Sequence, residues 1–288
     1  SLPYAFPHPT GNIAMKIIKV LLLGIATLLL LLIVGFNLWG YLTLGTLQPD
    51  PGAVRDPNAN QVVLVSGATG SVGDGLLKAA VQDPEVEKVY VITRRSSPRI
   101  EQGVASGKVE MRLHQDFTDY SSLRDILGEV NTVLWGLGTS SLQVDEATYP
   151  WIHVDFPVAF VKAWLAARTE GPMAFHYVTG MGTDGDARWA LDKRRAELEV
   201  ASMADGTGLR TFGYRSGYVR PTSEQANALI YVGAALLKPG YLVITGRDLG
   251  GAMLEISART EELPNGAVID NKDSILYAKL YRAQQQRD

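Results

Sequence analysis

Three glycines, Gly67, Gly70 and Gly73, stand in the spacing G-x-x-G-x-x-G inside the stretch QVVLVSGATGSVGDG, residues 61–75. Glycine tolerates positive φ and lets backbone N–H groups approach a ligand closely, so this spacing suits the binding of a pyrophosphate. Thr69, Ser71 and Val72 lie in the same turn and belong to the same cradle. Two elements must position it. Val62, Val63, Leu64 and Val65 form a short, continuously apolar run, as in a strand buried on both faces of a parallel sheet. Val72, Leu76, Leu77, Ala80 and Val81 then recur at helical spacing. The N-terminus of that helix adds partial positive charge where the pyrophosphate would lie. Strand, glycine turn and helix together predict the dinucleotide-binding opening of a Rossmann unit. The competing reading is a sharp structural turn.

A second strand is expected over residues 88–93, and Arg94 and Arg95 follow it directly. An NAD-binding unit usually carries an acidic residue there for the ribose hydroxyls. A guanidinium favours the 2′-phosphate of NADP instead, through a charge-assisted and potentially bidentate contact. The expected cofactor is therefore NADP(H), with NAD(H) the weaker ligand. Two solvated surface arginines are the alternative.

Further strands are expected at 109–114, 132–135, 173–179 and 210–215. Helices are expected at 120–127, from 155 to about 168, and at 187–204. This alternation implies an α/β, doubly wound parallel sheet of about six or seven strands, with 62–65 central. Gly136 opens the loop after the fourth strand. From about 221 the chain is less regular, with helices expected at 224–237, 249–259 and 274–282 and a short strand at 267–269. That segment is expected to cover the crevice beyond the strand ends.

The chain has 288 residues, a net charge of −3 and no cysteine. A disulfide scaffold, a thiolate metal site and a cysteine nucleophile are excluded, and nothing in the charge supports a nucleic-acid partner. His8, His114, His153 and His176 are scattered without ligand spacing, so no metal is expected. Residues 20–47 carry no charge, and about 20 apolar residues span a bilayer. Lys16 and Lys19 flank one end, and Trp39 and Tyr41 stand near the other as an aromatic belt would. The expected organisation is an N-terminal extension over 1–15, in which Met15 is a candidate natural start, and a single transmembrane anchor over 16–47. A linker follows over 48–60, then the NAD(P)-binding domain over 61–288. Membrane lipid is thus an expected partner and a membrane the expected location, with side and organelle open. A cleaved signal peptide is the competing reading, against which stand the length and the lack of a clean small-residue cleavage site.

SGATGSVG, the pair Arg94-Arg95, Asp116 after the third strand, VTGMG after the fifth, Lys193 on the next helix and YRSGYVRP at 214–221 together carry a resemblance. So does the closing segment from GRDLGGAMLEISAR to VIDNKDS. Over about residues 62–281 the chain resembles the short-chain dehydrogenase/reductase superfamily, most nearly its atypical single-domain branch that includes the Tat-interacting-protein-like oxidoreductases. The resemblance implies that the glycine turn and Gly136 hold the cofactor and that Asp116 accepts from the adenine amino group. A turn cap is the other reading of Asp116.

The resemblance also implies a serine or threonine after the fifth strand and a Tyr-x-x-x-Lys pair on the following helix. Thr179 and Lys193 match, with Lys193 expected on the nicotinamide ribose. Trp189 stands where the tyrosine belongs. A phenol can give a proton to a carbonyl oxygen, whereas an indole N–H donates a hydrogen bond but does not usefully ionise. Tyr149, Asp184 and Asp186 are substitute acids without family support, and Tyr218 reads as structural. The function expected is a membrane-anchored NADP(H)-binding protein with weakened or lost catalysis, an accessory or regulatory subunit of a membrane complex. The alternative is an NADPH-dependent reductase or epimerase acting on a membrane-proximal substrate.

Overall fold

Among the described residues there are nine strands: β1 (Val62–Ser66), β2 (Lys88–Thr93), β3 (Val109–Leu113), β4 (Thr132–Trp135), β5 (Met173–Val178), β6 (Leu209–Arg215), β7 (Tyr218–Arg220), β8 (Val243–Thr245) and β9 (Ala267–Asp270). The helices that alternate with them are α1 (Thr10–Thr43), α2 (Ser71–Gln82), α3 (Pro98–Ala105), α4 (Arg124–Leu127), α5 (Thr148–Pro150), α6 (Phe156–Ala167), α7 (Arg188–Ala204), α8 (Ala228–Leu237), α9 (Gly246–Ala258) and α10 (Asn271–Gln285). This computed structural model describes residues 10–286, so His8 and the start of the N-terminal extension lie outside it, as do residues 287–288.

Seven strands form one parallel sheet in the order β3-β2-β1-β4-β5-β6-β9. It is the doubly wound α/β arrangement, with β1 between β2 and β4 at the centre. Val63, Leu64 and Val65 are wholly buried because helices cover both faces. One face packs Leu76, Leu77, Leu249 and Met253 beneath α2 and α9. The other packs Trp135, Phe160, Trp164 and Phe175 beneath α6. The helices α2 and α9 meet at two glycines: a Cβ on Gly75 would stand 2.4 Å from the Gly246 Cα.

Several elements differ from the sequence reading. α3 was not expected; Pro98 starts it by supplying a preset φ in its first turn. The helix expected from 224 begins at Ala228, because Asn227 caps it by accepting from the Ile230 N–H at 3.0 Å. A second, two-stranded parallel sheet of β7 and β8 was also unexpected. Before α6 the chain makes a π-helical turn at Trp151–Asp155. Pro157 has no N–H to donate back along the helix. The His153 carbonyl accepts instead from the Tyr177 hydroxyl at 2.7 Å.

The segment 48–60, read as a linker, is tied to the domain along its length: the Asp50 N–H donates to Glu262 Oε1 at 3.0 Å. Arg55 makes a forked pair with Glu85 at 2.7 and 2.8 Å and reaches Glu255 at 3.2 Å. Asn60 Nδ2 donates to the Leu254 carbonyl at 2.8 Å.

Within α1, Met15–Thr43 is long and apolar enough to cross a bilayer, and the domain buries almost none of it. Its C-terminal part touches α8 and the turn after it. Asn37 Nδ2 donates to the Leu236 carbonyl at 2.9 Å, and Asn37 Oδ1 accepts from the Gly240 N–H at 2.6 Å. Tyr41 stacks on Tyr241 with centroids 6.2 Å apart, and the Lys272 ammonium faces both rings.

Candidate cofactor groove and catalytic cleft

The groove begins where β1 turns into α2. Gly67 takes φ +76°, and a Cβ on it would stand 2.5 Å from the Gly136 carbonyl carbon. A Cβ on Gly73 would stand 2.1 Å from the Gly67 carbonyl oxygen. The turn therefore packs backbone against backbone, which only glycine permits. Gly70 caps α2 with no side chain over the first turn, so the helix N–H groups face outward toward an anion. Thr69 and Gly67 share a cavity of about 320 Å³ with Thr93, Arg94, Arg95 and Phe117. The hydroxyls of Ser66, Ser96 and Ser97 are buried without a hydrogen-bond partner. Glycine cradle, paired guanidinium groups and unpartnered hydroxyls fit a phosphate-bearing dinucleotide.

Asp116 lies beside this cavity but is directed elsewhere. Its Oδ1 accepts from the Thr118 hydroxyl at 2.5 Å and the Thr118 N–H at 2.9 Å, and these bonds hold its carboxyl below the usual range. The turn-cap reading describes that oxygen. The neighbouring Phe117 lines the cavity.

At the other end of the groove Thr179 follows β5 and is buried. Its hydroxyl donates to Glu197 Oε1 at 2.7 Å and accepts from Arg215 Nη1 at 2.9 Å. Arg215 Nη1 and Nη2 also reach the Glu197 carboxylate at 2.5 and 3.0 Å. Its Nε and Nη2 reach Asp184 at 2.9 and 2.8 Å. Burial works against the Arg215 charge, yet the hydrogen bonds it donates to Asp184 and Glu197 raise its pKa above the ordinary value. The pairing with Arg215 likewise lowers Asp184. This places Asp184 as a structural counter-ion.

Lys193 reaches Thr179 from α7, its ammonium donating to the Thr179 carbonyl at 2.6 Å. Burial pushes Lys193 down to about 8, with Glu197 opposing the shift and Arg215 adding to it. Trp189 stands one turn earlier on the same face, with Lys193 Nζ 5.8 Å from its ring. Both side chains, Thr179 and Ser216 face a cavity of about 1100 Å³. Leu31 and Phe36 of α1, each more than half exposed, border its far side. The Ser216 hydroxyl is buried there without a partner.

The remaining candidates separate by place. Tyr149 is buried beside His153, ring centroids 4.2 Å apart, and burial pushes it up to about 12. Asp186 is exposed on the loop before α7. Tyr218 borders the large cavity rather than the core. His153 is held near 4 by burial and stays neutral, its Nε2 within 2.9 Å of the Thr139 carbonyl. His176 bridges Tyr214 and Ser257 at 2.7 Å on each side, a buried structural role. Among the described residues no cluster of His, Asp and Glu is arranged to hold a metal.

Sequence reasoning missed Glu197, Arg215 and Ser216 as site residues. Signals existed: Glu197 stands four residues after Lys193 on one helix face, and the other two lie inside YRSGYVRP.

Comparison with known proteins agrees with this architecture. No protein-family model matches the chain. Leucinostatins biosynthesis cluster protein T of Purpureocillium lilacinum is 31% identical over 205 residues, covering 70% of this chain and 72% of that protein. Protein FMP52, mitochondrial, of Saccharomyces cerevisiae is 25% identical over 223 residues, covering 73% of this chain and 93% of that one. Among solved structures, a short-chain dehydrogenase/reductase oxidoreductase from Burkholderia thailandensis superposes with a TM-score of 0.59 at 19% identity, covering 79% of this chain and 97% of its own. The 2-keto-3-deoxy-D-gluconate dehydrogenase from Streptococcus agalactiae does so with 0.54 at 14% identity, covering 77% and 97%. The chain belongs to the short-chain dehydrogenase/reductase superfamily, whose fold implies a nicotinamide cofactor, NAD(P)(H).

Proposed function

We propose that the protein is a membrane-anchored oxidoreductase that prefers NADP(H) and reduces a carbonyl group presented in the cavity beside Lys193. The observation that carries this reading is the cavity of about 1100 Å³ that joins Thr179, Trp189, Lys193 and Ser216 to α1. A protein that only bound nucleotide would have no need of so large an apolar chamber at the Lys193 end of its groove. The glycine turn and the α2 N-terminus would hold the pyrophosphate, and Arg94, Arg95, Ser96 and Ser97 the 2′-phosphate. The nicotinamide supplies hydride chemistry when bound.

The protein's own contribution is a proton and a shaped, apolar space. The Lys193 ammonium gives one N–H to the Thr179 carbonyl. Its other two are available to the cavity and the ribose. With a pKa near 8 it holds a transferable proton at neutral pH. Glu197 and Arg215 lock Thr179 and thereby fix the carbonyl on which Lys193 rests.

The test uses full-length protein in lipid vesicles, with NADPH and a panel of carbonyl compounds, followed by NADPH absorbance. Consumption above a Lys193→Ala control supports the reading; none with any carbonyl counts against it. A second reading, an accessory subunit with lost catalysis, draws on Trp189 in the tyrosine place and on the Thr179 hydroxyl being engaged by Glu197. It expects NADPH binding without turnover, and co-purification with other membrane subunits. The anchor is tested by carbonate extraction, which should leave the full-length chain in the pellet. The yeast relative is named as mitochondrial, which supports beginning a fractionation with mitochondria.

A further inference from the structure

We infer that the cavity beside Lys193 is filled from the bilayer by a molecule with a long apolar chain ending in a single carbonyl group, and that the Lys193 ammonium receives the carbonyl end. The identity of the reaction rests on the oxidoreductase reading; the shape and chemistry of the occupant do not.

Leu31, Leu32, Gly35, Phe36 and Trp39 line the cavity from α1. They recur at positions i, i+1, i+4, i+5 and i+8, one face of the helix, within the stretch apolar enough to lie in a bilayer. Leu31, Leu32, Phe36 and Trp39 stay exposed, so the cavity is open along α1, and its wall there belongs to the stretch apolar enough to lie in a bilayer. A small hydrophilic substrate would gain nothing from such a wall, whereas an alkyl chain buries its length against it. Gly35 meets no steric demand, since a Cβ there would find nothing within 4 Å. A side chain at that position would take space from the cavity.

The opposite end is chemically different. Lys193 stands there, its ammonium donating to the Thr179 carbonyl at 2.6 Å and keeping two further N–H donors. The Thr179 hydroxyl is already engaged by Glu197 and Arg215, so it does not compete for the occupant. One ammonium at the end of an apolar cavity suits a single carbonyl head.

The route is set by α8. Its Leu229, Val232 and Leu236 are exposed although the helix is apolar, a surface suited to the lipid interface. Asn37 ties α1 to Leu236 and Gly240 at the rim of the chamber, where Leu237 and Leu242 form part of the wall. α1 and α8 thus bound a mouth that opens to lipid.

The experiment reconstitutes full-length protein in phosphatidylcholine vesicles without NADPH and adds a long-chain methyl ketone bearing a diazirine close to its carbonyl. After irradiation, peptides are mapped by mass spectrometry. Label is expected on the peptides of Met181 and Leu242, competed by unlabelled long-chain ketone and not by acetone. Gly35→Trp should lower that label by about tenfold while NADPH still binds, which shows that the variant is folded. Should Gly35→Trp fail to fold, Gly35→Leu serves, expected to weaken competition by the ketone. Label confined to α1 with Met181 and Leu242 unlabelled overturns the inference. So does Met181 label indifferent to both variants. In a parallel assay of the same vesicles with NADPH, acetone reduced as well as the long ketone also sinks it but leaves the oxidoreductase reading standing. Competed label without any NADPH consumption sinks the oxidoreductase reading and leaves the occupant assigned.

Discussion

The hydroxyl of Thr179 donates to the carboxylate of Glu197 at 2.7 Å, so the threonine at the head of the cleft is fixed by an acid from the next helix. The same carboxylate pairs with Arg215, whose side chain is 7% exposed against 12% for Glu197. Glu197→Gln leaves Arg215 with Asp184 alone as a charged partner. Breaking a pair buried to this degree is expected to cost about 3 kcal/mol of stability. Denaturant midpoints of wild type and variant measure it. Arg215→Met should destabilise similarly, and the double variant by much less than the sum.

A pH profile examines Lys193. Its pKa is lowered from 10.5 to about 8, so the ammonium persists below that value and is lost above it. If its proton is used, NADPH-dependent reduction falls as pH rises through about 8. Glu197 opposes the shift, so Glu197→Gln should move the fall to lower pH. The stability linkage has a defined sign as well. Between about 8 and 10.5 the unfolded chain binds the extra proton, so the contribution of this group to stability grows as pH rises across that window. Lys193→Met should lack that rise.

Trp189 lies beside Lys193 on the cavity wall, at the sequence position where the resemblance implies a tyrosine. Trp189→Tyr is expected to raise the rate of carbonyl reduction, by up to ~10²-fold if the phenol reaches the substrate. Trp189→Phe opens the same space without an acid and should not. Equal rates in the two variants would assign any gain to space alone.

The cofactor groove makes a separate test. Arg94 and Arg95 border its cavity, with two unpartnered hydroxyls following in sequence. Replacing both with alanine should weaken NADPH binding by about 2 kcal/mol, or ~30-fold, while leaving NADH nearly unchanged. Fluorescence titration reads both. Equal wild-type affinities for the two nucleotides would refute the preference.

The parts of this protein legible in its sequence are those set over short distances along the chain. The apolar run of β1, the glycine spacing and the helical recurrence of α2 lie within one stretch, and each obeys a local rule of φ, pleat or helical pitch. The apolar length of α1 and the shared face of Trp189 and Lys193 on α7 follow from the same kind of rule. The parallel doubly wound sheet is a step further, yet it follows from alternating strands and helices under right-handed crossovers. Tertiary structure alone decided that the Thr179 hydroxyl is engaged by Glu197 and Arg215 and that the Ser216 hydroxyl is left without a partner. It alone brought Leu31 of the apolar helix and Ser216 of the domain to the walls of one cavity. The reason is physical. Periodicity says which face of an element is apolar, but which distant face it meets is decided by the packing of the whole chain, where a buried polar atom finds its partner or goes without.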